Sequence, residues 1–230
     1  MKTEKKKYEL TNETIKIGGQ VLHRIYAMRD FTLNDGTEIK KGDLGGFIEK
    51  EDNLSHEWGC WVYANACVFG DARVFGDGIV SDAAWVYDNA RVHDNALVSG
   101  NAHVYGNARI SGNAHVCDYA RVSWNAQVSG NARVYDGALV SGNAHVRDNA
   151  HIRSDHDYCV IQGFGSENRS TTFYNASRED GKCEVSVKCG CFNGTLAEFE
   201  AKVKETHGDN VHAHTYLLAI EMVKSRFNIN

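Results

Sequence analysis

Aliphatic residues recur at every sixth position through the middle of the chain. The series runs without a slip over sixteen repeats: Val62, Val68, Val74, Val80, Val86, Val92, Val98, Val104, Ile110, Val116, Val122, Val128, Val134, Val140, Val146 and Ile152. Four positions after each aliphatic residue comes an alanine in fourteen of the sixteen repeats, with Gly78 and His156 as the exceptions. An amphipathic helix would require a period of about 3.6 residues. The pattern therefore predicts a repeat architecture.

Each repeat contains a short strand and a corner. Ala108 and Ile110 are expected to point inward, and Arg109 and Ser111 outward, which is the alternation of a β-strand. Gly or Asp fills the first corner position in thirteen repeats, and Asn or Asp fills the second in thirteen. Gly and Asn tolerate left-handed backbone angles, so the chain can turn once in every repeat. Three strands and three corners then close a triangular coil of 18 residues.

This pattern resembles the left-handed parallel β-helix of the hexapeptide-repeat proteins, over residues 62–157. We predict a mainly β fold in which residues 59–157 form a left-handed parallel β-helix of about five coils, roughly 26 Å long at ~4.8 Å per coil. Residues 1–58 contain many Lys and Glu, which are both absent from 62–157, and they predict an N-terminal β-rich cap. Residues 158–230 predict an α+β C-terminal domain.

The two flanks contain local signals for hairpins and capped helices. Gly18-Gly19 predicts a turn between two N-terminal strands. Three C-terminal strands are predicted over Tyr158–Phe164, Ser170–Asn175 and Lys182–Cys191. Two helices are expected to follow, from a capping box at Thr195 to about His207 and from a cap at Asn210 to about Phe227.

A second resemblance extends over nearly the whole chain. It is carried by Gly42-Asp-Leu-Gly-Gly-Phe-Ile-Glu-Lys-Glu-Asp-Asn-Leu-Ser55, by the repeats, by Cys189-Gly-Cys-Phe-Asn-Gly-Thr-Leu-Ala-Glu-Phe-Glu200 and by His207-Gly-Asp-Asn210. These segments are similar to a family of phage and prophage proteins to which no activity is assigned. The resemblance implies a viral origin and says little about chemistry.

Composition limits the cellular compartments and the kinds of partner that we expect for this protein. No stretch approaches eighteen apolar residues, and no apolar region follows the basic N-terminus, so we expect neither a membrane span nor a signal peptide. Seven cysteines, an odd number, are typical of free thiols in a reducing cytoplasm, here that of a bacterial host. A net charge of −5 argues against broad coating of nucleic acid. The absence of proline fits a chain whose backbone N–H groups are all engaged.

A coil of 18 residues stacks the outward side chains into ladders. One ladder contains Arg73, Arg91, Arg109, Gln127 and His145. Another pairs Phe69, Tyr87 and Tyr105 with Cys67, Trp85 and His103. Arginines stacked at ~4.8 Å repel one another unless an Asp, a partner chain or an anionic ligand intervenes. These faces are either solvated beside their Asp corners or form a subunit interface.

Two bulky corner residues favour the interpretation of these faces as a subunit interface. Tyr119 and Trp124 replace turn residues at corners where a large ring has no local use, and aromatic residues and Arg are enriched in interface cores. The trimer is the usual assembly of this architecture, so we expect a homotrimer by analogy.

The segment Gly163–Thr172 has the composition of a ligand-binding loop. Its glycines permit close approach, its hydroxyls can donate, and Arg169 can bind a phosphate or carboxylate with both arms of its guanidinium. The candidate ligand-binding residues are Ser166, Arg169, Thr171, Thr172, Thr195 and His207. Thr195 and His207 are included because the fold could bring them close to this loop. The competing interpretation is an ordinary polar hairpin loop.

Other chemistries receive less support from the sequence. Hexapeptide-repeat acyltransferases place a catalytic His near a loop that breaks the helix, and no insertion occurs here. Of the outward histidines, His115 and His151 share one face two coils apart, and His103 and His145 lie on the other two faces. This spread excludes a tight zinc triad within one chain and leaves one between chains open. A Cys₄ metal site from Cys159, Cys183, Cys189 and Cys191 is a further alternative, although strand alternation explains three of these as core residues. We predict no metal and no cofactor.

These observations favour a non-catalytic, phage-encoded binding protein. The expected ligand is an anionic small molecule, such as a nucleotide signal used in host defence, which the protein would sequester. The alternatives are a hexapeptide-type acyltransferase and a structural or protein-docking module.

Overall fold

The structure is a computed structural model that describes residues 6–177 and 183–229. The first strands are β1 (Tyr8–Ile17), β2 (Gln20–Ala27), β3 (Phe31–Thr32), β4 (Glu38–Ile39) and β5 (Leu44–Ile48). Sixteen strands of two residues follow: β6 (Trp61–Val62), β7 (Cys67–Val68), β8 (Arg73–Val74), β9 (Ile79–Val80), β10 (Trp85–Val86), β11 (Arg91–Val92), β12 (Leu97–Val98), β13 (His103–Val104), β14 (Arg109–Ile110), β15 (His115–Val116), β16 (Arg121–Val122), β17 (Gln127–Val128), β18 (Arg133–Val134), β19 (Leu139–Val140), β20 (His145–Val146) and β21 (His151–Ile152). The C-terminal elements are β22 (Tyr158–Phe164), β23 (Arg169–Ser177), β24 (Cys183–Cys189), β25 (Phe192–Thr195), α1 (Leu196–His207) and α2 (Val211–Arg226). Two 3₁₀ turns occupy Glu51–Asn53 and Asp155–Asp157.

The repeat of six builds a parallel β-solenoid, as predicted. Its short strands form three sheets, in the orders β7-β10-β13-β16-β19, β8-β11-β14-β17-β20 and β6-β9-β12-β15-β18-β21. Neighbours within each sheet pair residue i with residue i+18, as Arg91 does with Arg109. The fold class is therefore confirmed, while the hand of the coil and the division into three domains stay predictions.

The solenoid has about six turns rather than the predicted five. Strand β5 pairs in parallel with β7 and adds a sixth strand to the first sheet. Leu54 bridges to Val74 and adds a sixth position to the second sheet, and the third sheet already contains six strands. The sequence hides this first turn because eight residues separate Leu54 from Val62, whereas six separate the later repeats. The longer corner interrupts the period but not the stacking.

The interior of the coil is lined by small aliphatic side chains in every repeat. The valine or isoleucine of every repeat and the alanines that follow are fully or almost fully buried. Backbone N–H groups bond the next coil, as Arg91 N–H does to the carbonyl of Ala108 at 2.9 Å. A proline at such a position would remove one of these bonds, which gives the absence of proline from the solenoid a structural reason.

The N-terminal residues close the first turn. Lys7 is fully buried, and its ammonium group donates to the carbonyl of Cys60 at 2.8 Å and contacts the Cys60 thiol at 3.2 Å. Burial lowers the pKa of Lys7. The predicted β1–β2 hairpin turns at Gly18-Gly19, and its Leu22 packs against Phe69 on the outside of one sheet. This end of the solenoid is therefore covered by the chain itself.

The C-terminal part is a four-stranded antiparallel sheet, β22-β23-β24-β25, with both helices packed on it. It joins the solenoid through the bridge between Ala150 and Ala176. The predicted third strand begins at Lys182, which lies outside the described residues. Cys183 and Cys191 are exposed, which corrects the expectation that they face the core with Cys189. Cys183 begins the described strand, and Cys191 follows Gly190 in the turn after it, so neither lies beneath the helices.

Both predicted helix caps form. The Thr195 hydroxyl accepts a hydrogen bond from the Glu198 N–H, and the Glu198 carboxylate accepts one from the Thr195 N–H. The Asn210 side chain accepts from two backbone N–H groups at the start of α2. Within residues 6–177 and 183–229, no helix is both long enough and apolar enough to cross a membrane.

Candidate ligand-binding site

One side of the solenoid presents a row of cationic and amide side chains. We call it the arginine face, the outer surface of the sheet β8-β11-β14-β17-β20, and its central column is Arg73, Arg91, Arg109, Gln127 and His145. The column stacks as the 18-residue period predicts. At ~4.8 Å per coil the five positions extend over roughly 19 Å.

The arginines of this column lack carboxylate partners. Among the described residues, no Asp or Glu oxygen lies within 4.0 Å of the guanidinium groups of Arg73, Arg91 or Arg109, each of which is exposed. The neighbouring Asp71 is paired with Lys50 at 2.7 Å instead. The Asp corners at Asp88 and Asp94 accept hydrogen bonds from backbone N–H groups of the next coil. The repulsion anticipated between stacked arginines is therefore not relieved by intrachain ion pairs.

The C-terminal end of the arginine face opens into a cavity of about 350 Å³ against the C-terminal sheet. We call it the junction cavity. Its lining consists of Asn125, Gln127, Asn143, His145, Arg169, Ser170, Lys188 and Gly190. Three of these residues are basic or can become cationic, and none is acidic. An anion would therefore meet a lining of one sign of charge.

The electrostatics around His145 reflect this excess of positive charge. Burial lowers the pKa of the imidazole, and the charges of Lys188 and Arg147 lower it further. The backbone N–H of His145 donates to the Thr172 hydroxyl at 2.9 Å, which ties the cavity wall to strand β23. Arg169 pairs with the Glu167 carboxylate at 3.4 Å, and both side chains are largely exposed.

A second cavity, of about 510 Å³, lies at the other end of the arginine face. It brings Arg73, Arg91 and His56 together with two carboxylates, Glu51 and Asp52. The mixed charges of this lining favour an anion less than those of the junction cavity do.

The predicted loop residues are divided between several environments. Arg169 lines the junction cavity. Thr171 and Thr172 are buried on β23, where the Thr171 hydroxyl donates to the Cys189 sulfur and the Thr172 hydroxyl accepts from His145. Their hydroxyls are therefore engaged within the protein.

His207 and Ser166 converge on a residue that sequence reasoning did not single out, Tyr216. The His207 ring stacks on the Tyr216 ring with centroids 5.6 Å apart. Burial raises the pKa of Tyr216, as do its contacts with the Cys189 thiol, while a hydrogen bond to Ser166 opposes them. Thr195 lies elsewhere, at the start of α1, where its hydroxyl serves the helix cap.

The predicted aromatic ladder forms on the neighbouring face. The rings of Phe69, Tyr87 and Tyr105 stack in sequence with centroids 5.1 Å apart and planes within 3°. Trp85 lies beside them, 5.2 Å from His103. Leu22 of the N-terminal hairpin covers the first rings, so part of this ladder is buried by the chain itself.

The corner aromatics project into solvent. Tyr119 and Trp124 are each 69% exposed, and Trp58, which sequence reasoning missed, is 72% exposed. Trp124 has a φ of 59°, in the left-handed region that costs a bulky side chain about 1–3 kcal/mol. Gly or Asp occupies most equivalent corners, so the fold does not require a tryptophan there.

The histidines and cysteines are dispersed. His103 lies on the aromatic side, His145 on the arginine face, and His115 and His151 two coils apart on the third side. In the part of the chain that the structure describes, no three His, Cys, Asp or Glu side chains are grouped closely enough to hold a metal ion. No inserted loop interrupts the strands between Trp61 and Ile152.

Comparisons with known proteins bear on the solenoid. Residues 102–118 and 126–142 match the YdcK beta solenoid repeat. The chain is similar to a β-solenoid repeat family. The two matched segments lie within the solenoid, so sequence and structure agree on a β-helix repeat. A comparison with curated proteins found no match.

Sequence reasoning found part of the junction cavity. Gln127, His145 and Arg169 were identified from the ladder and the loop, whereas Lys188, Asn125 and Asn143 were not. Strand alternation on β24 is a usable signal, because it puts Lys188 on the face opposite Val185 and Val187. No pattern in the sequence indicates that this surface of β24 meets the arginine face.

Proposed function

We propose that this protein is a non-catalytic binding protein that holds an anionic small molecule in the junction cavity. The observation that carries the proposal is the cavity lining, in which Arg169, Lys188 and His145 are joined by neutral donors and by no carboxylate. Charge-assisted hydrogen bonds from such groups are among the strongest that a protein makes to phosphate or carboxylate.

The amide groups of the lining are already oriented. Asn107, Asn125, Asn143 and Gln162 form a ladder in which each asparagine amide donates to the next side-chain oxygen, at 3.2, 3.0 and 3.4 Å. Each amide nitrogen carries a second hydrogen that can serve a ligand. The volume of about 350 Å³ lies within the range of small-molecule sites.

The biological setting is part of the proposal. The similarity of residues 42–55 and 189–200 to phage and prophage proteins supports a phage-encoded protein acting in the host cytoplasm. A cationic lining suits a site that holds an anion, which supports sequestration. We infer that the ligand is a nucleotide-type signal, which such a protein would withdraw from a host defence pathway.

We also propose that the protein assembles as a homotrimer. Support comes from Tyr119 and Leu139, which are 69% and 41% exposed on the side of the solenoid that also carries exposed Arg121. Aromatic residues and arginine are enriched in interface cores. Light scattering coupled to gel filtration should give three times the chain mass of 25.5 kDa; a monomer that persists at high concentration would contradict this.

Calorimetric titration with pyrophosphate tests the proposed site. We expect the double variant Arg169→Ala, Lys188→Ala to bind pyrophosphate at least about tenfold more weakly than the parent protein, because each lost charge-assisted hydrogen bond contributes roughly 1.5–3 kcal/mol. The matched control is Arg133→Ala, which removes an exposed arginine from the third side of the solenoid and should leave affinity unchanged. Equal weakening by both variants would indicate diffuse charge attraction and contradict the proposal.

A further inference from the structure

Trp124 occupies a corner column that is otherwise free of rings. The equivalent positions on the other coils of this corner are Gly70, Asp88, Gly106 and Gly142, all with positive φ. The indole is mostly exposed, so it fills no gap in the core. A strained and exposed tryptophan that the fold does not need points to a role in recognition.

Aromatic rings on successive coils of this solenoid are close enough to stack on each other. Phe69, Tyr87 and Tyr105, one coil apart from each other, place their ring centroids 5.1 Å apart with nearly parallel planes. A planar ring one coil away from Trp124 would therefore lie within stacking range of the indole. The coil position on the C-terminal side is Gly142, where an added Cβ would meet nothing within 4 Å. That position is an open slot.

The open slot borders the junction cavity. Asn125 and Asn143 directly follow Trp124 and Gly142 in the sequence, and both line the cavity. The opposite side of Trp124 is different, because its backbone packs over Gly106, whose N–H is bound by the Asp88 carboxylate. A ring that carries an anionic group is therefore favoured on the Gly142 side, next to Arg169, Lys188 and His145.

We propose that Trp124 and the slot over Gly142 hold the heteroaromatic base of a nucleotide whose phosphate lies in the junction cavity. This inference rests on the proposed function, to which it adds the residues that hold the base. Stacking on an aromatic side chain is tolerant of base identity, so the site selects for a base rather than for one particular base.

The test compares two ligands that differ by the base alone, adenosine 5′-monophosphate and ribose 5-phosphate, by calorimetric titration. We expect the parent protein to bind the nucleotide about tenfold more tightly. Trp124→Ala should remove this difference and leave the affinity for ribose 5-phosphate unchanged, while Trp124→Phe should keep part of it. The matched control Trp58→Ala, a similarly exposed tryptophan at the N-terminal end of the solenoid, should keep all of it.

A second variant tests the slot without removing the tryptophan. Gly142→Asn fills the slot with a residue that tolerates positive φ, so it should fold and should lose the preference for the nucleotide. If the parent protein binds both ligands equally, or if Trp124→Ala weakens both equally, the stacking inference is overturned and the anion site stands. If neither ligand nor pyrophosphate binds, the proposed function fails and the inference fails with it.

Discussion

At the scale of single residues, the candidate site depends on a few side chains whose environment could be read only in three dimensions. Arg169 and His145 had sequence signals, namely a glycine-rich loop and a ladder position. Thr171 and Thr172 belong to the same glycine-rich segment as Arg169. They are buried, however, because they lie on β23, which has a strand on each side. Composition identifies groups that can bind a ligand, whereas burial decides which of them are available.

His145 makes anion binding depend on pH. Its pKa is lowered by burial and by Lys188 and Arg147, so the imidazole is neutral near pH 7 in the free protein. An anion in the junction cavity favours the charged form and raises that pKa, so binding takes up a proton. We expect the affinity for pyrophosphate, taken relative to that of His145→Asn at the same pH, to increase as the pH falls from about 7.5 to 5.5 in calorimetric titrations.

The control for this pH effect is His145→Asn, which keeps a polar side chain of similar reach but cannot titrate. Its affinity should follow only the ionisation of pyrophosphate itself. An unchanged pH profile in this variant would show that His145 does not contact the anion.

At the scale of elements, the repeat could be predicted almost completely and its boundaries could not. Strands β6–β21 lie where the period of six placed them, because the inward valines and the corner residues specify the same turn independently. The first turn was missed because the corner after Leu54 is two residues longer than the others. Cys183 was misplaced because alternation alone does not show where the cover of α1 and α2 ends.

The corners offer a matched pair of substitutions. Gly112 has a φ of 66°, and an added Cβ would lie 2.9 Å from the backbone nitrogen of Gly130 on the next coil. Gly112→Ala should therefore lower the free energy of unfolding by about 1–3 kcal/mol. The φ of Gly137 lies outside the left-handed region and its surroundings are open, so Gly137→Ala should change stability by less than about 0.5 kcal/mol.

Urea denaturation followed by circular dichroism measures both variants. Equal stability of Gly112→Ala and Gly137→Ala would show that the coil spacing is more relaxed than the contacts at Gly112 indicate.

At the scale of the whole molecule, several half-buried histidines make stability depend on pH. Burial lowers the pKa of His56, His103, His115, His145 and His151. Because the unfolded chain binds protons at these groups more readily than the folded chain, their contribution to stability is present above the ordinary histidine pKa of about 6.5 and is lost as the pH falls below it.

We therefore expect the melting temperature without ligand to fall between about pH 7 and pH 5, a window above the ordinary range of the carboxylates. Replacing outward His115 and His151 by Gln should reduce this fall. A melting temperature that is constant over this window would contradict the prediction. Protonation of the histidines is expected to lower stability but to strengthen anion binding. The two effects can therefore be separated by measuring the melting temperature over the same pH range with saturating pyrophosphate.

The central claim is that the arginine face and the C-terminal sheet together form one anion site. The most direct measurement is a crystal structure of the protein with adenosine 5′-monophosphate. The phosphate is predicted to lie within hydrogen-bonding distance of Arg169 and Lys188, with the base over Gly142 against Trp124. An empty junction cavity at a saturating nucleotide concentration, or a nucleotide bound only elsewhere on the molecule, would contradict the account.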